Sequence, residues 1–275
     1  MELYECLKRV RERAPLVQCI TNFVTVNDCA NMLLAVGASP TMAMDPREAA
    51  EAVSGANGLV CNLGAIEHVD SMVLAGRRAN ELGIPVVLDP VAAGGTTLRR
   101  EQSARLLREV RFAAIRGNAS EIRGLARQGS GGSGVDVTAL DAVTEENLPQ
   151  SVELMRRLAA KLRTVIAVSG VLDVVSDGAR TAVLRNGCAT MARITGSGCM
   201  LTTLMGAFCA AAPEAPFDAA CAAMAAMGVA GELAEARRLQ NGTGNATFRT
   251  DLIDAVFNLT ETDMKERVHY ELYQG

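Results

Sequence analysis

Short apolar runs alternate along the chain with longer stretches in which apolar residues recur at helical spacing. The short runs, bounded by polar or Gly-rich residues, are Leu16–Ile20, Leu59–Leu63, Val86–Leu88, Ala113–Ile115 and Val165–Val168. Such runs are typical of parallel strands buried on both faces. The amphipathic stretches between the first of them are Val26–Val36, Asp45–Val53, Val69–Leu82 and Leu98–Val110. This order predicts an α/β fold, a mostly parallel sheet with helices on both faces.

The pattern changes in the second half of the chain. Leu172–Ser176 and Arg180–Leu184 flank Asp177-Gly178, which is a strong hairpin signal because tight two-residue turns require positive φ. Three further helices are predicted after the hairpin, at Met200–Ala212, Phe217–Leu239 and Phe248–Leu259. The Gly-rich segment Gln128–Gly134 is expected to be the most flexible part. Since no break in composition separates a second domain, residues 1–275 are predicted to form a single domain.

The composition narrows the choice of function. Apolar residues make up 49% of the chain and aromatic residues only 3%, which suits helices packed on a buried sheet. The net charge is −4 and no basic run occurs, which argues against a nucleic-acid partner. The eight cysteines are scattered without a CxxC pair, so we expect buried free thiols in a reducing, cytoplasmic compartment.

The chain shows no targeting signal at Met1–Arg13, and no membrane span is expected. The Ala-rich stretch Asp218–Glu235 comes nearest, but it is bounded by charges and falls short of the ~20 apolar residues that a membrane helix needs. His68 and His269, the only histidines, fit neither a metal nor a triad spacing. This argues against zinc chemistry and Ser-His-Asp hydrolysis.

The Gly-rich segment Thr195-Gly196-Ser197-Gly198-Cys199 opens a predicted apolar helix. Backbone N–H groups at such a helix start, together with the helix dipole, favour a bound anion such as a phosphate. The alternative is a tight loop in which Ser or Thr caps the helix. The segment is not a P-loop, because no Lys follows the last Gly.

A second polar segment, Arg116–Glu121, follows the predicted strand Ala113–Ile115. Asn118 and Glu121 have the spacing of a capping box, which is the structural interpretation. The functional interpretation places the segment at the carboxyl edge of a parallel sheet, where ligands bind in open α/β folds. Arg116 would then bind phosphate and Glu121 would orient hydrated Mg2+.

Three further residues stand at predicted strand ends or in extended segments. Asp89 precedes a Gly-rich loop and is either a turn former or a metal-side carboxylate. Asn22 ends the first strand, where it could hydrogen-bond a substrate. Met42 follows Pro40 in a short extended segment, and a Met is more often a core residue than a ligand contact.

Taken together and in this order, several segments resemble the hydroxyethylthiazole kinase family of the ribokinase-like superfamily. They are PLVQCITN at Pro15–Asn22, LLAVGASPTM at Leu33–Met42, LDPVAAG at Leu88–Gly94, AAIRGNASEI at Ala113–Ile122, GVD at Gly134–Asp136 and TGSGC at Thr195–Cys199. The resemblance implies a three-layer ribokinase-like sandwich. It also implies ATP-dependent phosphorylation of the hydroxyl of 4-methyl-5-(2-hydroxyethyl)thiazole in thiamine salvage, with Mg2+ as cofactor. It further implies a homotrimer with thiazole sites between subunits.

The resemblance also implies roles for residues on the acceptor side. Met42 falls where the family contacts the thiazole through its backbone, and Gly196 falls at another substrate contact. Asn22 is placed with them. Cys199 occupies the position of the Asp base of the superfamily's sugar kinases, and its pKa is expected to fall beside a helix N-terminus.

On the nucleotide side, the resemblance places Arg116 and Ser169 at ATP-binding positions, with Thr195, Gly198 and Asn118 near the phosphates. Asn118 and Glu121 match an N-x-x-E element that orients Mg2+ and phosphate. Glu121 and Asp89 are therefore the expected metal-side carboxylates.

Two segments depart from the family pattern. Ser169-Gly170-Val171 stands where the family usually has Thr-Gly-Glu, and Gly242–Phe248 reads GTGNATF where a Gly-Pro-Gly-Ser-Phe-like turn is usual. Three alternatives stay open, the first two because the superfamily shares the fold and the third because of these departures. The chain could be another ribokinase-like kinase for a pyrimidine alcohol, pyridoxal or a sugar. It could be a dehydratase that repairs hydrated nicotinamide nucleotides, or a non-catalytic thiazole or nucleotide sensor.

Overall fold

The computed structural model describes residues 1–129 and 142–274. The predicted Gly-rich segment beyond residue 129 and the motif Gly134–Asp136 lie outside the described residues. Within them, the strands form one sheet. They are β1 Leu16–Ile20, β2 Ser39–Thr41, β3 Gly58–Asn62, β4 Val86–Asp89, β5 Ala114–Asn118, β6 Val165–Ser169, β7 Asp173–Ser176, β8 Thr181–Leu184 and β9 Tyr270–Leu272.

The strand order is β2-β1-β3-β4-β5-β6-β7-β8-β9. Neighbours from β2 to β6 pair in parallel, and the pairs from β6 to β9 are antiparallel. The six parallel strands therefore present their carboxyl ends at one common edge, which is where ligands bind in open α/β sheets.

Helices cover both faces of the sheet. They are α1 Leu3–Arg13, α2 Val26–Val36, α3 Ala49–Ser54, α4 Val69–Leu82, α5 Thr97–Glu109, α6 Ala119–Gly129, α7 Leu148–Leu162, α8 Ser197–Ala211, α9 Pro216–Asn241, α10 Asn245–Asn258 and α11 Glu261–Glu266. One core cluster joins the sheet to α1, α2 and α8 to α11, and the other joins it to α3 to α7. The predicted three-layer α/β sandwich is confirmed.

Some predicted boundaries are wrong. The strand predicted to end at Ile115 continues to Asn118, because the backbone of Arg116, Gly117 and Asn118 pairs with β6 although their side chains are not apolar. The helix predicted from Asp45 begins at Ala49. Before it, the Asp45 carboxylate accepts the Arg47 N–H at 2.9 Å and forms a turn. Apolarity alone does not reveal such backbone pairing.

Helix α9 is longer than predicted, and the expectation that no segment approaches membrane-spanning length is wrong. With 26 residues, α9 is long and apolar enough to cross a membrane by length and composition. However, 83% of its most apolar window is buried inside the protein. The core helix of a globular protein can have the same length and apolar composition as a membrane span. The contacts of α9 with α8, α10 and the sheet are those of a core helix.

Candidate active site

Four of the predicted site residues lie close together at the carboxyl edge of the parallel strands, opposite the start of α8. Asn22 follows β1, Asp89 ends β4, Arg116 lies in β5 and Ser169 ends β6. Cys199 lies in the first turn of α8 and joins this group by accepting a hydrogen bond from Asn22. Residues far apart in the sequence are thus assembled because successive strand ends meet along one edge.

Asp89 is a buried carboxylate in which one oxygen accepts two hydrogen bonds and the other accepts none. It is only 1% exposed. Its Oδ2 accepts hydrogen bonds from Thr202 Oγ1 at 2.9 Å and Asn62 Nδ2 at 3.2 Å, and it lies 3.9 Å from Arg116 Nη1. Its Oδ1 has no hydrogen-bond partner. Burial raises the pKa of Asp89 to about 6, although Arg116 pulls it down. An unpartnered buried oxygen of this kind is costly unless a ligand or cation satisfies it.

Arg116 is the guanidinium that connects β5 to the start of α8. It is 7% exposed, and its Nη2 donates to Ser169 Oγ. Its Nη1 lies so close to Gly198 that a Cβ there would stand 2.5 Å away. Arg116 was expected after the strand, but it lies within β5 and points at α8. The Nε of Arg116 has no hydrogen-bond partner, so the buried group keeps a donor available.

Asn118 and Glu121 form the predicted capping box at the start of α6. Asn118 Oδ1 accepts from the Glu121 N–H at 2.9 Å, and Glu121 Oε2 accepts from the Asn118 N–H at 2.8 Å. Glu121 Oε1 also accepts the Ala92 N–H at 3.1 Å. Glu121 therefore ties the loop after β4 to the start of α6. The Glu121 carboxylate is in this way held beside the end of β4, where Asp89 lies.

The start of α8 has the geometry of an anion site. The helix begins at Ser197, three residues earlier than predicted, with Gly196 as N-cap at φ +84°. No side chain caps it, so the alternative of a Ser or Thr cap is not formed and the first N–H groups remain available. A Cβ on Gly196 would also stand 2.5 Å from Thr25 Cγ2. Both the positive φ and this close contact therefore require glycine at residue 196. Thr195, just before it, is exposed.

Cys199 is a half-buried thiol that accepts a hydrogen bond from Asn22 Nδ2 at 3.5 Å. Burial, and then the charge of Asp89, raise the pKa of Cys199 above its ordinary value. Hydrogen bonds from Thr25, Asn62 and Asn22 oppose the rise but do not cancel it. The expectation of a lowered pKa is therefore wrong, because desolvation outweighs the helix N-terminus. The thiol is protonated at neutral pH.

Met42 lies directly after β2, the edge strand next to β1. It is half-buried and packs against the core that contains α8. The next residue, Ala43, is held by Gln18, whose Nε2 donates to the Ala43 carbonyl at 2.8 Å. The side chain of Met42 thus has a packing role, while its position at the carboxyl edge leaves the backbone near the site.

The two segments that depart from the family pattern differ in their surroundings. Val171 is 76% exposed. Two residues on, Asp173 Oδ1 accepts the Gly170 N–H at 3.0 Å. Burial raises the pKa of Asp173 to about 7, against the pull of this hydrogen bond and of Arg116. The hairpin therefore brings a carboxylate within electrostatic reach of Arg116, although Val171 has none. In the other segment, Asn245 Nδ2 donates to the Arg193 carbonyl at 3.0 Å.

The sequence did not single out two buried residues of this site. Asn62 ends β3 inside the apolar run Leu59–Leu63, and Thr202 lies one turn into α8. Both donate to the Asp89 carboxylate. The available signal for Asn62 was a polar residue at the end of an otherwise apolar strand. For Thr202 it was the spacing of four from Gly198, whose carbonyl its hydroxyl also approaches at 3.2 Å.

Among the described residues, no group of three or more His, Cys, Asp or Glu side chains could by itself hold a metal ion. All eight cysteines are free thiols, and six of them are buried, so the prediction of free thiols is confirmed. The half-buried ones are Cys188 and Cys199.

Comparison with known proteins gives a consistent picture. The model of the hydroxyethylthiazole kinase family matches residues 7–262. The chain is 44% identical over 256 residues to a hydroxyethylthiazole kinase of Clostridium beijerinckii, covering 92% of this chain and 91% of the relative. It is 45% identical over 261 residues to one of Desulfovibrio desulfuricans, covering 92% of each.

Similarity to solved structures agrees with the sequence matches. A hydroxyethylthiazole kinase protein of Pyrococcus horikoshii superposes with a TM-score of 0.87 at 35% identity, covering 99% of both chains. A ribokinase-like superfamily protein of Enterococcus faecalis superposes with a TM-score of 0.63 at 12% identity, covering 94% of this chain and 95% of the other. At that identity the second match shows the fold alone.

Proposed function

The chain belongs to the hydroxyethylthiazole kinase family, and from this we propose that it transfers a phosphoryl group from ATP to the hydroxyl of 4-methyl-5-(2-hydroxyethyl)thiazole, in thiamine salvage. The observation that carries the proposal is the meeting of Arg116 with the uncapped start of α8 at the carboxyl edge of the sheet. This arrangement offers positive charge and free N–H groups where a transferring phosphoryl group needs them.

On the nucleotide side, Arg116 and Ser169 form one hydrogen-bonded unit, so they would act together on ATP. The N–H groups around Thr195 and Gly198 would hold phosphate oxygens. Asn118 keeps the start of α6 in place through its capping box. Phosphoryl transfer passes through a loose transition state, so fixed positive groups and accurate positioning supply most of the acceleration.

The residues present fit a magnesium ion. The free Oδ1 of Asp89 is a buried oxygen without a partner, which is the ligand type that Mg2+ prefers. Glu121, which lies next to the loop after β4, would be the second carboxylate. Few protein ligands are needed, because Mg2+ usually keeps several waters and binds substrate phosphates. When bound, the ion would neutralise the charge of the phosphates.

On the acceptor side, the backbone at Met42 and Gly196 and the amide of Asn22 would hold the thiazole with its hydroxyl towards Cys199. The thiol of Cys199 is protonated at neutral pH because burial raises its pKa. It is therefore a hydrogen-bonding group near the acceptor rather than a strong base. A strong base is not obligatory when bond breaking leads the transition state.

Other features support the proposed assembly and compartment. Apolar side chains are exposed next to the site and on the adjoining face of α2 and α10, with Phe23 82% exposed and Val24, Leu34 and Phe257 also exposed. Burial of this surface would accompany a homotrimer with its sites between subunits, and light scattering after gel filtration measures that state. Free thiols throughout suit the reducing cytoplasm.

The proposed activity is tested by incubating the protein with Mg·ATP and hydroxyethylthiazole and measuring the phosphorylated thiazole by mass spectrometry. Product that disappears when EDTA is added would support both the reaction and its need for a divalent cation. A folded protein that binds the thiazole but yields no product would instead be a sensor. Parallel reactions with pyridoxal and a hydroxymethyl pyrimidine would show whether the acceptor is another alcohol.

A further inference from the structure

One buried amide, Asn62, connects the acidic side of the site to its thiol side. Asn62 is 1% exposed. Its Nδ2 donates to Asp89 Oδ2 at 3.2 Å, and its Oδ1 accepts from Asn22 Nδ2 at 3.3 Å. Asn22 Nδ2 also donates to Cys199 Sγ at 3.5 Å. A continuous line of hydrogen bonds thus runs from the end of β4, through the ends of β3 and β1, to the first turn of α8.

The surrounding groups allow only one orientation of each amide. Asn62 Oδ1 also accepts the Gly64 N–H at 2.8 Å, so a flipped Asn62 would set two donors against each other and its oxygen against the Asp89 carboxylate. Asn22 Oδ1 accepts from Thr25 Oγ1 at 3.2 Å, which directs the Asn22 NH2 group at Asn62 and Cys199. In this orientation the thiol sulfur faces the Asn22 amide donor at 3.5 Å.

Gly64 limits the movement of the two amides on one side. A Cβ on Gly64 would stand 2.6 Å from Asn62 Oδ1 and 2.9 Å from Asn22 Nδ2. The glycine thus lies directly against the amide pair. Hydrogen bonds on both sides of Asn62, to Asn22 and to Asp89, hold this amide in one place.

We propose that Asn62 is a positioning residue for phosphoryl transfer, which fixes Asn22 and Asp89 so that the acceptor hydroxyl meets a preset amide and thiol. The inference rests on the proposed kinase function and deepens it. Asn62 is hydrogen-bonded to Asn22 and Asp89, and the amide nitrogen that lies 3.5 Å from Cys199 Sγ is that of Asn22, so Asn62 positions this donor through Asn22. Misplacement of a group by about 1 Å in such a site costs on the order of 100-fold in rate.

The test is a double-mutant cycle in steady-state kinetics with Mg·ATP and hydroxyethylthiazole. Asn62→Ala is expected to lower kcat by about 10- to 100-fold and to leave KM for ATP within about threefold. Asn22→Ala should have a similar effect on kcat. The double variant should be no more than about threefold slower than the slower single variant, because the two residues act as one unit.

Two outcomes of the cycle would overturn the inference. One is that the two losses multiply, which would mean that Asn62 does not act through Asn22. The other is that kcat of Asn62→Ala stays within about twofold of wild type. Asn80→Ala is the matched control, because Asn80 also holds a backbone pair, at Arg111, but lies away from the site. Where Asn62→Ala fails to fold, Asn62→Ser replaces it. Its hydroxyl can still accept the Gly64 N–H, but it is too short to reach Asn22.

A second measurement does not depend on turnover. The pH dependence of iodoacetamide alkylation of the Cys199 peptide, followed by mass spectrometry, gives the pKa of the thiol. Asn62→Ser should raise that pKa by about half a unit or more, because amide donors favour the thiolate. The titratable neighbours of Cys199 are Asp89, which also loses the Asn62 donor in this variant, and Cys29. An unchanged pKa would contradict the inference. A wild-type protein without product would overturn the proposed function alone.

Discussion

The guanidinium of Arg116 lies directly against Gly198, such that a Cβ at residue 198 would stand 2.5 Å from Arg116 Nη1. Arg116 has little freedom to yield, because it is buried and its other nitrogen is bonded to Ser169. The absence of a side chain at residue 198 is thus a condition for bringing the arginine to the start of α8. This close contact connects Arg116 in β5 to α8, the helix that carries Cys199.

Gly198→Ala is therefore expected to displace Arg116 and to lower kcat/KM for ATP by about 10- to 100-fold. The φ of Gly198 is not positive, so the backbone itself tolerates alanine and the protein should remain folded. Gly55→Ala is the matched control, since its nearest contact would be 3.8 Å away. The measurement is kcat/KM for ATP of both variants by steady-state kinetics. An equal kcat/KM in Gly198→Ala and wild type would show that the position of Arg116 is not critical.

Two consecutive threonines of α8 give a second test. The Thr202 hydroxyl donates to Asp89 Oδ2, whereas the Thr203 hydroxyl donates to the Cys199 carbonyl at 2.8 Å. Both are buried. Thr202→Val should lower the free energy of unfolding at pH 7.5 by about 1–3 kcal/mol, because it removes a donor from a buried carboxylate. Thr203→Val should cost less than about 1 kcal/mol. Urea denaturation measures both, and equal losses would contradict the assignment.

The raised pKa of Asp89 predicts a pH-dependent stability difference. A carboxyl group whose folded pKa is about 6 rather than 3.8 binds its proton more tightly in the native state. Stability is therefore lost as pH rises from about 4 to about 6, and the full cost above that range is about 3 kcal/mol. Asp89→Asn removes this contribution.

Relative to wild type, Asp89→Asn should accordingly gain about 2 kcal/mol of stability between pH 4.5 and pH 7.5, because about 1 kcal/mol of the cost is already present at pH 4.5. The free energy of unfolding of Asp89→Asn minus that of wild type is compared at the two pH values. Other titrating groups, such as Asp173, are present in both proteins, so their contributions cancel. Urea unfolding at both pH values provides the measurement. A difference that does not vary with pH would show that Asp89 titrates in its ordinary range.

Cys199→Ser is expected to retain measurable activity, with kcat lowered by less than about 100-fold. Serine keeps a hydrogen-bonding group for Asn22, and the thiol that it replaces is protonated at neutral pH because burial raises its pKa. Cys188→Ser, at the other half-buried cysteine, serves as control. Complete loss of turnover in a folded Cys199→Ser protein would mean that the thiolate is an essential base.

Much of the fold could be predicted because its strands and helices carry distinct periodicities. The boundaries of β1, α2 and α4 agree with their apolar patterns. The extension of β5 through Arg116 could not be read in this way, since it depends on pairing with β6. Likewise β9, a three-residue strand, becomes one only through its pairing with β8.

The site could be predicted in part. The strand-end rule places Asn22, Asp89 and Arg116 at one edge, but it does not say which side chains meet. The bond from Asn22 to Cys199 spans 177 residues, and that from Thr202 to Asp89 spans 113. The pKa of Cys199 was predicted in the wrong direction, because a helix start is visible in the sequence whereas desolvation is known only from packing.

The central claim is that the carboxyl-edge cleft around Arg116 performs ATP-dependent phosphorylation of hydroxyethylthiazole. The most direct measurement is the rate of thiazole phosphate formation, by mass spectrometry, in wild type and in Arg116→Ala, with circular dichroism to verify folding. We predict turnover by wild type and a loss of about 100-fold or more in Arg116→Ala. Equal rates in the two proteins, or no product from folded wild type at saturating Mg·ATP, would contradict the account.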